Sequence, residues 1–253
     1  NDLFKEQIFN KLAYFFGFSI LLHSALLFIL GLSYALGKLL LKHLRGYLSA
    51  LSFKLSSIAI GLAIIGTLMV ILGLVGLLNT LVLWSLIGLL FLLRYRSFIS
   101  FFNDLFVVKV YHKTLTNSSL LAIGLLLSFI SVSIIGGIKA FPVGFDGASL
   151  YMNKANLIRQ YSGLPQGGQA FNWSIIMSLG VLLFKSEVIS ILLSHLIGLL
   201  CLLVVYSISR LYISVSASLW AALLFYSIPA VISFTSFLNE KSRFFLLDSE
   251  DFE

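Results

Sequence analysis

Residues 56–93 read SSIAIGLAIIGTLMVILGLVGLLNTLVLWSLIGLLFLL, a block of 38 residues without one charged side chain. As one α-helix it would rise about 57 Å at 1.5 Å per residue. That is nearly twice the ~30 Å of bilayer hydrocarbon. The block therefore holds two membrane spans. Gly73, Gly76, Asn79 and Thr80 supply the break, which predicts helices over 56–75 and 80–93. Helices are required because a segment in hydrocarbon has no water to satisfy its backbone, and only a helix closes those bonds within itself.

The same reading extends outward. Residues 12–37, 114–138, 188–209 and 211–239 are also free of Lys, Arg, Asp and Glu, and predict spans at Leu12–Leu36, Ser118–Ile138, Val188–Ser209 and Ser214–Phe237. The 253-residue chain is 59% hydrophobic and 11% charged, with mean hydropathy +1.04, against about 25% charged residues in soluble domains. This excludes a soluble enzyme, a disordered tail and a DNA-binding domain. The expected fold is an all-α integral membrane protein of about six transmembrane helices, with no internal repeat. Residues 1–117 hold three spans. Residues 118–253 hold the rest, with a loop over 139–187 and an acidic tail over 249–253.

Seventeen Lys and Arg against ten acids give a net charge of +7. Five of the acids (Glu240, Asp248, Glu250, Asp251 and Glu253) lie in the last 14 residues, leaving 15 cations and 5 acids, or +10, over residues 1–239. These cations sit between apolar spans rather than on one basic face, so they set topology and imply no nucleic-acid partner. Lys38, Lys42, Arg45 and Lys54 separate spans one and two; Arg94, Arg96, Lys109 and Lys113 separate spans three and four. Both loops are expected in the cytoplasm, with the 76–80 turn and the 139–172 loop on the opposite side.

Trp173–Phe184 is a 12-residue apolar run that ends at Lys185 and Glu187. Its length suits an interfacial or re-entrant segment better than a crossing. If it does not cross, Arg210 is cytoplasmic and residues 238–253 are outside; if it crosses, both are reversed. The single cysteine, Cys201, allows no disulfide within the chain and reads as a small buried apolar residue. His23 and His195 lie within spans, as a proton relay or as hydrogen-bonding groups between helices. Metal-ligand spacing, a Gly-rich phosphate loop followed by Lys, and a nucleophile elbow are not found. Neither is a basic-then-apolar signal peptide.

Residues 139–172 read KAFPVGFDGASLYMNKANLIRQYSGLPQGGQAFN, with Asp146 as the one acid. Helical periodicity runs through Gly147–Tyr161, with Leu150, Leu157, Ile158 and Tyr161 on one face and Asn153, Asn156 and Gln160 largely elsewhere. A short amphipathic helix of this kind can lie flat on a bilayer surface, where Lys154 and Arg159 would meet lipid phosphates; alternatively it is a solvated connection.

At this loop the sequence resembles the GT-C superfamily of polytopic glycosyltransferases. The resemblance rests on span 118–138, the acidic element Gly144-Phe145-Asp146-Gly147, and Ser149-Leu150-Tyr151, which is similar to the Asp-x-x-x-Tyr spacing of bacterial members. It continues through the juxtamembrane segment Asn156–Gly163, Asn172-Trp173, and a span that closes on Tyr206-Ser207-Ile208-Ser209-Arg210. Ser242-Arg243 through Asp248 is similar to the Ser-Arg-x-x-x-x-Asp element of protein O-mannosyltransferases. The 56–93 block with Leu83-Trp84 looks like the N-terminal helices of some bacterial members. Phe145 stands where Trp is common, and Met152 where His is common. The chain starts on Asn and stops soon after Asp248, so it reads as a fragment, a truncation or a diverged protein.

The resemblance implies transfer of a sugar from a polyprenyl-phosphate donor on the non-cytoplasmic face of a membrane, the inner membrane for bacterial members. Asp146 would be the general base, taking the acceptor proton, with Asp248 as a second acid or a ligand of a divalent cation. Lys154, Arg159 and Arg243 would contact phosphate, with Lys139 behind them. Tyr151, Trp173 and Tyr161 would stack on sugar, or form the aromatic belt of the interface. Read without the resemblance, Asp146 is an Asp in a Gly-flanked turn and Asp248 belongs to a solvated tail. Two other functions stay open. One is a non-catalytic membrane subunit with protein partners. The other is a transporter, for which the spans offer His23, His195 and Pro229 but no carboxylate.

Overall fold

A computed structural model describes residues 2–106, 116–137, 152–164 and 172–228. Every regular element among them is a helix: α1 (Asp2–Leu41), α2 (Ala50–Leu74), α3 (Thr80–Phe106), α4 (Asn117–Gly137), α5 (Asn153–Tyr161), α6 (Asn172–Phe184), α7 (Glu187–Ser209) and α8 (Val215–Ser227), with a 3-10 turn over Lys42–Leu44. Four segments are long and apolar enough to cross a membrane: Ile20–Leu44, Ala50–Leu74, Thr80–Asn103 and Glu187–Ser209. The protein is therefore an all-α integral membrane protein. The other two expected spans correspond to α4 and to α8, whose continuation to Phe237 lies outside the described residues.

Helix starts follow side-chain caps. Asn79 Oδ1 accepts from the Val82 amide, and Thr116 Oγ1 accepts from Ser119. Ser49, Ser186 and Ser214 cap α2, α7 and α8 in the same way. The predicted break in the 56–93 block is real. α2 stops at Leu74, Gly76 takes φ +70°, and the Leu77 amide donates to the Leu72 carbonyl, a glycine-terminated helix end. Charge, however, did not mark helix ends. Arg94 and Arg96 lie inside α3 rather than in a loop, and Lys54 lies inside α2, because long cationic side chains reach the interface from a continuing helix.

Contacts fix how the helices run. Gly37 of α1 meets Ser57 of α2 and Gly61 meets Ser33, so α1 and α2 are antiparallel with their backbones touching. Down α3, Trp84, Phe91 and Phe98 all touch Phe28 of α1, and Phe101 touches Tyr34. Ser52 at the start of α2 hydrogen-bonds Ser207 at the end of α7 (2.8 Å). Ser118 at the start of α4 bonds both Ser216 and Trp220 of α8. One end of the bundle thus gathers Lys38, Lys42, Arg45, Lys54, Arg94, Arg96 and Arg210. The opposite end carries the α2–α3 turn, α5 and the α6–α7 turn. The main core is built from α1, α2, α3, α6 and α7; a smaller one joins α4, α7 and α8 around Leu126, Leu202 and Tyr226.

Trp173–Phe184 falls in α6, 13 residues and about 20 Å long, too short to cross the hydrocarbon. The chain reverses at Lys185 (φ 51°), and Gly180 packs directly on Ser190, whose hydroxyl donates to the Met177 carbonyl. α6 and the first turns of α7 thus form a tight hairpin at the end opposite the cations. Arg210, a full α7 away, returns to the basic end. Cys201 corrects the expectation of a buried residue: it is exposed on α7, among Leu203, Val204 and Ile208. An apolar side chain in a span is removed from water equally well by lipid, so burial in protein does not follow from a hydrophobic setting.

Candidate functional site

The end opposite the cations is where the sequence places the chemistry, and the described part of its loop is held there by specific bonds. The Leu78 amide, in the α2–α3 turn, donates to the Ser162 carbonyl (2.8 Å), and the Leu164 amide donates to Gly73 (3.3 Å). Ser162 makes this possible by adopting the left-handed conformation (φ 53°) that ends α5. Gly73 makes room: a methyl group there would lie 2.8 Å from Leu164 Cγ.

α5 itself is seated on α6. Met152 and Ala155 are buried with Met177 and Val181, and Ile158 reaches the main core. This differs from the expected apolar face. Met152, Ala155 and Ile158 point inward, whereas Tyr161 is 67% exposed. The periodicity was correct, but the face is chosen by what packs on it, and small Ala155 allows α5 to approach α6 closely. The inward surface of α5 is therefore covered by protein rather than by the bilayer.

Asn156, on the flank of α5, donates its amide to Glu187 Oε1 at 2.9 Å. Glu187 occupies the first turn of α7, where the helix dipole favours a carboxylate. The pair joins the loop helix to a membrane-spanning helix. Neither residue is among the site residues expected from the sequence. The usable signal was Ser186 followed by an acid at a helix start, which marks where α7 begins but not what its acid meets.

Of the sequence-predicted residues, Lys154 is half-buried on α5 and Arg159 is exposed in its last turn. Trp173 is in the first turn of α6. The structure thus brings Lys154, Arg159 and the start of α6 to one end of the bundle. Asp146, Tyr151, Arg243 and Asp248 lie outside the described residues, as does Lys139. A divalent cation shared by Asp146 and Asp248 would have both its ligands there. His195 is buried in α7, about 12 Å along the helix from Glu187, and His23 lies on an exposed face of α1. No family model matches the chain, and no curated protein or solved structure matches it either.

Proposed function

We propose that the chain is a glycosyltransferase-like protein of a bacterial inner membrane that moves a sugar from a polyprenyl-phosphate donor on the non-cytoplasmic face. In this reading, Asp146 removes the proton from an acceptor hydroxyl as its oxygen attacks the anomeric carbon. The carbon–oxygen bond to phosphate breaks, and polyprenyl phosphate leaves with the bonding pair. Lys154, Arg159 and Arg243 balance the charge on the departing phosphate, Tyr151 and Trp173 flank the sugar, and Asp248 is the second acid. The observation that supports this most is the fastening of α5 to the end opposite seven cationic side chains. The positive-inside rule puts those cations in the cytoplasm, and so puts Lys154 and Arg159 on the side where such donors are used.

Asp146→Asn is expected to abolish sugar transfer by the purified protein in liposomes with a polyprenyl-phosphate sugar, while its melting temperature stays within a degree or two of the wild type. Transfer at the wild-type rate would remove Asp146 from the mechanism. One observation favours a second reading, a non-catalytic membrane subunit: Glu187, an acid beside α5 at this end, is engaged in fastening helices. A subunit would co-purify with partners in fixed ratio and would not change when Asp146 is replaced.

A further inference from the structure

The basic end of the bundle holds a cavity of about 270 Å³ lined by Lys38, Lys42, Arg45, Phe53, Arg94 and Ser97. Cations at a helix end are ordinarily explained by topology alone, since long side chains splay into water. This arrangement differs in three ways.

First, the cations come from separate segments and face one space. Lys38 is in the last turn of α1, Lys42 in the 3-10 turn, Arg45 just beyond it and Arg94 in α3. Lys38 is fixed in place by donation to Ser100 (2.9 Å) and by the Tyr34 ring, 5.2 Å from its ammonium. Second, Lys42, Arg45 and Arg94 make no ion pair within the described residues, so their mutual repulsion is not offset there. Third, Arg94 Nε is buried without a hydrogen-bond partner among the described residues, where one terminal nitrogen makes only a long contact to Ser97 (3.5 Å). A buried charged donor left unmade is costly, and its presence calls for a partner. Arg94 lines the cavity, and a guanidinium there can match two oxygens of a phosphate.

The surroundings say how that phosphate is carried. Leu39 and Leu40 of α1 and Leu92 and Leu93 of α3 are exposed beside the cavity, an apolar flank of the kind that lies against acyl chains. The volume falls just under the ~300 Å³ at which pockets for whole small molecules begin, so it admits a headgroup while the chains stay outside. We propose that the basic end is a binding site for the phosphate headgroup of an anionic lipid, with Arg94 as its half-buried anchor and Arg45 and Lys42 closing over it. The site is independent of any transfer chemistry at the other end.

The test uses the intact chain in nanodiscs of phosphatidylcholine with and without phosphatidylglycerol, with bound lipid counted by native mass spectrometry. Wild-type protein is expected to retain phosphatidylglycerol over phosphatidylcholine. Arg94→Gln is expected to weaken that retention about tenfold, the effect of one lost charge-assisted interaction. If Arg94→Gln does not fold, the exposed pair Lys42→Gln with Arg45→Gln serves and should lose at least as much. A parallel arm offers inorganic phosphate to protein in neutral detergent. Weak competition at millimolar phosphate supports a lipid-borne group. Binding of inorganic phosphate as tight as that of phosphatidylglycerol would overturn the lipid assignment. Equal retention of both lipids, or foldable variants that bind like the wild type, would overturn the site.

Discussion

At the scale of single residues, the tightest constraint in the bundle is a pair of small-residue steps, Ser33-x-x-x-Gly37 on α1 and Ser57-x-x-x-Gly61 on α2. A methyl group at Gly61 would overlap the Ser33 carbonyl, and one at Gly37 the Ser57 carbonyl. Both serine hydroxyls donate to carbonyls one turn back in their own helices, so they bring the backbones together without leaving a polar atom exposed. Spans associate in lipid through such close packing rather than through a hydrophobic gain. Gly61→Ala must push α1 and α2 apart and is expected to lower stability by about 1–3 kcal/mol, the usual range for overpacking. Gly88→Ala, where nothing lies within 4 Å, should be neutral or gain up to about 1 kcal/mol from helix propensity. Thermal unfolding in one detergent compares the two, and a Gly61→Ala protein as stable as wild type would refute the close contact. The spacing of these four residues was legible in the sequence, but hydropathy does not read it, because glycine and serine enter only as gaps in an apolar run. Cys201 shows the converse: its apolar setting was legible, its exposure to lipid was not.

At the scale of helices, the sequence located nearly every element and placed the ends of α4 and α7 to within a residue, but it cut α1, α2 and α3 short. Charge-free runs mark the part of a helix that sits in hydrocarbon, whereas the hydrogen-bonded helix continues until a cap or a glycine stops it. α3 therefore runs through Arg94 and Arg96 to Phe106, while α2 stops at Leu74 as glycine and asparagine require. α5 shows what periodicity leaves open. Its register was readable, but the inward choice of Met152 and Ala155 depends on Met177 and Val181, more than twenty residues away, and that of Ile158 on the main core. The Asn156–Glu187 bond is likewise beyond local pattern, since nothing near Asn156 names its partner. Asn156→Ala should release α5 at a cost of about 1–3 kcal/mol, typical for a hydrogen bond to a charged group. Because the loss is local, it belongs in the hydrogen exchange of α5 amides, which should speed up roughly tenfold or more while the amides of α1 and α2 stay unchanged. Unaltered exchange in α5 would mean that its apolar face alone holds it.

At the scale of the whole molecule, the direction of every helix after α5 depends on whether α6 crosses. Two lines agree that it does not. Its 13 residues fall about 10 Å short of the hydrocarbon thickness, and the Ser52–Ser207 bond puts the end of α7 beside the start of α2. Arg210 then joins Lys42, Arg45 and Lys54 at one end, as the distribution of positive charge favours. This predicts sides for three positions. Tyr47 and Tyr212 are 87% and 82% exposed in turns at the basic end. Lys185 is exposed in the α6–α7 turn at the other. In a Cys201→Ser background, Tyr47→Cys, Tyr212→Cys and Lys185→Cys each give one thiol for a membrane-impermeant maleimide. Tyr47→Cys and Tyr212→Cys should react only after the cytoplasmic face is opened, and Lys185→Cys in intact cells. Labelling of Tyr212→Cys in intact cells, with Lys185→Cys protected alongside Tyr47→Cys, would show that α6 spans the bilayer. That result would also separate Arg210 from the other cations and break the Asn156–Glu187 link between α5 and the start of α7. The headgroup site built on Arg94, Arg45 and Lys42 would stand, because all of its side chains precede α6.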